Sequence, residues 1–85
     1  MDQMDEGARF NLSPRGVVFE FESHHQKLTA RIVDVALERL SGVNNLSKEA
    51  LVSTYYANWE KIHAIASTLN DRNSSPLVIK ECDVP

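Results

Sequence analysis

Residues 47–70, SKEALVSTYYANWEKIHAIASTLN, decide the fold because neither proline nor glycine interrupts them. Apolar residues recur every three to four positions, as they do in an amphipathic helix. Seven residues form the apolar side: Leu51, Tyr55, Trp59, Ile62, Ile65, Ala66 and Leu69. Ser47 suits the N-cap, and Leu46 and Leu51 hold the positions of a hydrophobic staple. The stretch therefore predicts one long helix on which the other elements pack.

Two shorter stretches, residues 17–22 and 27–33, predict a β-hairpin because apolar and polar residues alternate in both. The apolar residues that would share one face are Val17, Phe19, Phe21, Leu28, Ala30 and Ile32. A four-residue loop over residues 23–26 would place Glu22 opposite Lys27 and every apolar residue opposite another. A shift of one residue would destroy both matches, so the pattern specifies the register.

Weaker signals complete the chain on either side of these elements. Residues 9–16 lead through a turn into the first strand, and residues 1–8 are expected to form a disordered acidic tail. Asp34 is predicted to cap a short helix that ends at Gly42. After the loop-forming residues 71–76, residues 77–82 are predicted to form a last strand.

The order β-β-α-α-β predicts a single α+β domain over residues 9–85. It would have two layers, with a three-stranded sheet and both helices, one short and one long, on one face. We expect the first strand at the centre of the sheet. The second strand should lie at an edge, because it directs Lys27, Thr29 and Arg31 outward.

Several of these stretches resemble a family of small bacterial proteins catalogued as domain of unknown function 1488. The matching segments are GVVFEF at residues 16–21, LTARI at 28–32, ALE at 36–38, IHAIA at 62–66, and LVI at 77–79 with Asp83. The resemblance covers nearly the whole predicted domain. It implies a compact α+β fold in the bacterial cytosol, and it brings no activity, cofactor or catalytic residue with it.

The composition is that of an ordinary globular protein, with 42% hydrophobic and 25% charged residues. Three of the twelve acids lie within the first six residues, and the other nine balance nine Lys and Arg. This balance argues against a broad basic surface for nucleic acid or membrane. Cys82 is a single cysteine, and the acidic N-terminus lacks the apolar segment of a signal peptide. We therefore expect a cytoplasmic protein that is not embedded in a membrane.

No motif predicts an enzyme, a cofactor or a metal site. His24 and His25 are adjacent in the hairpin loop, and His63 lies on the long helix, so their spacing is not that of metal ligands. The chain has three glycines and lacks a glycine-rich phosphate loop. Cys82 and the pair Glu20 and Glu22 are interpreted as ordinary strand residues rather than as a nucleophile or an acid–base pair.

Tyr56, Trp59 and His63 are the candidate interaction surface. On the helical wheel they adjoin one another where the apolar side meets the polar side. Aromatic residues at such a boundary are typical of protein interfaces. The sequence therefore predicts a non-catalytic protein-interaction module whose partner is another protein or a second copy. The alternative is a small nucleic-acid-binding regulator that uses Arg15, Lys27 and Arg31.

Overall fold

The computed structural model describes residues 4–12, 15–72 and 77–84. The elements are β1 (Arg9–Leu12), β2 (Arg15–Ser23), β3 (Gln26–Val33), α1 (Asp34–Ser41), α2 (Lys48–Asp71) and β4 (Val78–Ile79), followed by a 3-10 turn at Glu81–Asp83. The strands form one sheet in the order β1-β2-β3-β4. The α+β class is confirmed.

The β2–β3 hairpin has the predicted register. Glu22 is opposite Lys27, Phe19 is opposite Ala30, and the pairing continues to Ser23 and Gln26. The predicted four-residue loop is therefore a two-residue turn, His24-His25. Both histidines have positive φ, 52° and 63°, which is the conformation of a type I′ turn.

The predicted three-stranded sheet is wrong, because β1 adds a fourth strand antiparallel to β2. β1 has only four residues, with Phe10 opposite Val17, so its alternation is too short to stand out in the sequence. β2, which is the predicted first strand, lies between β1 and β3 and is therefore central, as expected.

The predicted edge position of β3 is also wrong. β4 pairs with β3 in parallel, with Ile79 opposite Ile32, and it covers only two of the six residues predicted for the last strand. Lys27, Thr29 and Arg31 are exposed because they project from the face of the sheet opposite the two helices, and not because β3 is an edge strand.

Both helices pack on the other face, where one hydrophobic core forms. Its fully buried members include Val17, Phe19, Ile32, Leu37, Leu51, Tyr55, Ile62 and Ile79. Ser47 caps α2 as predicted, since its Oγ accepts a hydrogen bond from Ala50 N. α1 differs from the prediction in its cap, which is Val33, while Asp34 is its first residue.

α2 is kinked at Asn58, where φ is −126° and ψ is 18°. The Asn58 side chain donates to the carbonyl oxygen of Thr54 at 3.0 Å, so it bonds within its own helix. When one residue departs from regular helical geometry, a single helical wheel no longer describes which residues share a face along the whole helix. The kink therefore separates the face before Asn58 from the face after it.

Candidate functional site

A buried hydrogen bond joins the two halves of α2 across the kink. Tyr55 Oη lies 2.6 Å from His63 Nε2, and both side chains are in the core. The hydroxyl also accepts a hydrogen bond from the backbone amide of Asp5 at 3.0 Å. Polar atoms in an apolar interior need such partners, because an unpaired one costs its full desolvation energy.

Aromatic rings surround this hydrogen bond. The Phe19 ring stacks on Tyr55 and on His63, with centroids 5.1 Å and 5.0 Å away. Phe21 meets His63 edge-on at 6.1 Å, and Trp59 does so at 5.3 Å. We call Phe19, Phe21, Tyr55, Trp59 and His63 the aromatic cluster. Its side chains lie on β2 and α2, so it joins the sheet to the helix.

The three residues of the predicted interaction surface differ in how deeply they are buried. His63 is 2% exposed and belongs to the core, whereas Tyr56 and Trp59 are half-buried at the side of α2. The helical wheel placed His63 beside Tyr56 because it assumed an unbroken helix, and the kink at Asn58 removes that assumption. The side of α2 therefore presents Tyr56 and Trp59, with His63 beneath them.

Residues 4–8 of the predicted tail lie against this side of α2, and we call them the N-terminal segment. Met4 packs against the core. The carboxylate of Asp5 accepts hydrogen bonds from Glu20 N and Gly7 N, both at 2.8 Å. Tyr56 Oη donates to the carbonyl oxygen of Glu6 at 3.0 Å. The sequence pattern did not indicate these contacts, although an Asp two residues before a Gly is a turn signal that favours local structure.

The hydroxyl of Tyr55 is expected to contribute measurably to stability. Tyr55→Phe keeps the ring but leaves His63 and the Asp5 amide without this partner, so the free energy of unfolding should fall by about 1–3 kcal/mol. Urea titration followed by circular dichroism measures the change. The matched control is Tyr56→Phe, whose lost hydrogen bond is at the surface and should cost less than about 0.5 kcal/mol. Equal losses in the two variants would contradict a structural role for the buried bond.

The face of the sheet opposite the helices, on which no described helix packs and which we call the open face, carries acidic residues on one strand and basic residues on the next. Glu20 and Glu22 project from β2, and Lys27 and Arg31 project from β3. Thus an acidic strand and a basic strand lie side by side at the centre of the sheet.

Arg15 of the nucleic-acid alternative does not contribute to an exposed basic patch. Its guanidinium donates to Asp34 Oδ2 at 3.3 Å and to the carbonyl oxygen of Leu46 at 2.6 Å. These bonds tie the start of β2 to α1 and to the connection before α2. Of the three bases in that alternative, Lys27 and Arg31 remain on the open face, beside Glu20 and Glu22.

The other residues considered for metal binding or catalysis do not form one site. His24 bonds Asp71 Oδ1 at 2.7 Å on the surface, and His25 is exposed beside it. Cys82 is exposed and lines a cavity of about 450 Å³ between the end of α2 and the last turn; no histidine is among its described lining residues. Within residues 4–12, 15–72 and 77–84, no three His, Cys, Asp or Glu side chains are grouped to hold a metal ion.

Neither helix in the described part of the chain has both the length and the apolar character needed to cross a membrane. Comparison with protein-family models, with curated proteins and with solved structures found no match to this chain. The resemblance to the family of domain of unknown function 1488 therefore stays a prediction.

Proposed function

We propose that this protein is a non-catalytic protein-interaction module that forms a homodimer through its open face. The observation that carries the proposal is the sorting of charge, with Glu20 and Glu22 on β2 and Lys27 and Arg31 on β3. In keeping with its single, exposed Cys82, we propose that the protein works in a reducing compartment. The resemblance to a family of small bacterial proteins makes the bacterial cytosol our proposal for that compartment.

A two-fold axis explains how this surface would bind itself. If the axis runs parallel to the strands between β2 and β3, then β2 of one copy faces β3 of the other. Glu22 then meets the Lys27 of the second copy, and the same contact occurs twice, as a two-fold interface requires. Val18 is half-buried between Arg9 and Arg31 of its own sheet in the cross-strand register. In the dimer it would face the aliphatic part of the Arg31 side chain of the second copy.

The size of the open face sets the expected affinity of the dimer. The four strands contribute 4, 9, 8 and 2 residues. At about 3.3 Å per residue along a strand and about 4.8 Å between strands, the footprint of the open face is on the order of 400 Å². Stable interfaces bury about 800 Å² per partner, so we expect a weak dimer with a Kd on the order of micromolar.

Charge reversal in two variants tests the dimer. The first carries Glu20→Lys and Glu22→Lys, and the second carries Lys27→Glu and Arg31→Glu. Each should be monomeric in sedimentation at concentrations where the wild type dimerises, because like charges then face each other. An equimolar mixture should form a heterodimer, since the acidic strands of one variant face the basic strands of the other.

The control variant carries Lys48→Glu and Glu49→Lys, which exchange charges at the exposed start of α2. It should dimerise as the wild type does. A wild type that stays monomeric at high micromolar concentration, or a mixture that fails to associate, would contradict the proposal. A salt-dependent shift with mixed oligonucleotides would instead support the nucleic-acid alternative.

A further inference from the structure

The edge of β2 is only partly covered by β1. The last pair between them is Arg9 with Val18, so residues 19–23 of β2 extend past the beginning of β1. At this edge the amide of Glu20 donates to the side-chain carboxylate of Asp5, at 2.8 Å. A side chain thus occupies the place where a neighbouring strand would present a backbone carbonyl.

The side of α2 lies beneath the same edge. α2 runs alongside β2, because Arg15 bonds the carbonyl oxygen of Leu46 at one end and Ser23 Oγ lies 3.1 Å from Ser67 Oγ at the other. Tyr56 contacts the N-terminal segment through its hydroxyl, and Trp59 is one helical turn further on. Half-buried aromatic rings therefore lie under the edge position that β1 leaves open.

The charges at this edge indicate what kind of strand it would accept. The N-terminal segment brings Asp5 and Glu6 to a strand whose outward residues at this level are Glu20 and Glu22. Lysine or arginine on a strand added here would lie beside these glutamates and would favour its binding.

We propose that this edge of β2 binds an extended peptide of another protein in which apolar and basic residues alternate. The peptide adds as a strand beside residues 19–23, and its backbone carbonyl replaces the Asp5 carboxylate on the Glu20 amide. Its apolar side chains pack on Tyr56 and Trp59, and its basic side chains lie beside Glu20 and Glu22. The N-terminal segment is the internal competitor, which must leave before the peptide binds.

The test uses the full-length chain and a capped eight-residue peptide of alternating lysine and valine. Trp59 is the single tryptophan, so its fluorescence reports binding at this edge, and the amide resonance of Glu20 reports strand pairing. Weakening the competitor raises the fraction of chains that can bind, so Asp5→Ala should lower the apparent Kd about fivefold or more. Tyr56→Phe, which loses only the hydrogen bond to Glu6, should also lower the apparent Kd.

Three controls separate this inference from simple charge attraction and from the dimer. A peptide with the lysines and valines in separate blocks, or one with glutamate in place of lysine, should bind at least about tenfold more weakly. The variant with Lys27→Glu and Arg31→Glu, expected to be monomeric, should still bind the alternating peptide, because β3 is not at this edge. Equal Kd values for wild type, Asp5→Ala and Tyr56→Phe, or equal binding of the blocked peptide, would overturn the inference.

Discussion

Replacement of Phe19 by alanine is expected to lower the free energy of unfolding by about 3–5 kcal/mol. Phe19 is 1% exposed, and its ring stacks on both Tyr55 and His63. The substitution removes the apolar contacts of the ring and opens a cavity beside the buried hydrogen bond. Both effects lower the free energy of unfolding, so their costs add. In a small domain this is a large part of the total stability.

Chemical denaturation followed by circular dichroism measures the loss. The matched control is Leu12→Ala, because Leu12 lies on the neighbouring strand β1 but is 78% exposed, and it should change stability by less than about 0.5 kcal/mol. A loss below about 1 kcal/mol for Phe19→Ala would show that the ring is not buried as described.

Gly16→Ala is expected to cost about 2–4 kcal/mol, because the added methyl group meets backbone rather than a movable side chain. A Cβ at Gly16 would collide with the carbonyl oxygen of Ile32 and would lie 2.9 Å from the Cα atom of Val33. Both atoms belong to β3, which is hydrogen-bonded on both sides. Relief of the collision must therefore distort the central strand pair.

Gly42→Ala separates this collision from the general effect of replacing a glycine. Gly42 ends α1 with φ of 75°, and a Cβ there would meet no atom within 4 Å. Gly42→Ala should therefore lower the free energy of unfolding by about 1 kcal/mol, the cost of placing alanine in the left-handed backbone conformation. Thermal or denaturant unfolding of both variants checks the difference. A loss for Gly16→Ala no larger than for Gly42→Ala would count against the close approach of β2 and β3.

The hairpin could be predicted because two independent patterns agree on one register. Phe21 opposite Leu28 and Glu22 opposite Lys27 are both satisfied in the same alignment, and a shift by one residue breaks both. β1 was missed, and β4 was predicted as a longer strand without a pairing partner, since strands of four and two residues hold too few alternations to specify a register. Their pairing is decided by tertiary contacts, such as Ile79 against Ile32.

The candidate site was predictable only in part, for a different reason. The sequence identified Tyr56 and Trp59 at the side of α2, where the structure has them. It could not place His63, because the kink at Asn58 changes which residues face the sheet. It also gave no means of assigning Asp5 to Glu20 and Tyr55, since these bonds join residues that are far apart in the chain.

The parallel pairing of β4 with β3 has a kinetic consequence. Ile79 can meet Ile32 only after both helices and their connections have closed the long loop between them. The β2–β3 hairpin, in contrast, needs only its two-residue turn, so its contacts are local and fast to form. Until β4 docks, including while a nascent chain is still emerging from the ribosome, the edge of β3 opposite β2 is unpaired, and β4 afterwards pairs only with Arg31 and Ile32. Lys27, Thr29 and Arg31 then act as solubilising residues that discourage this edge from joining another chain.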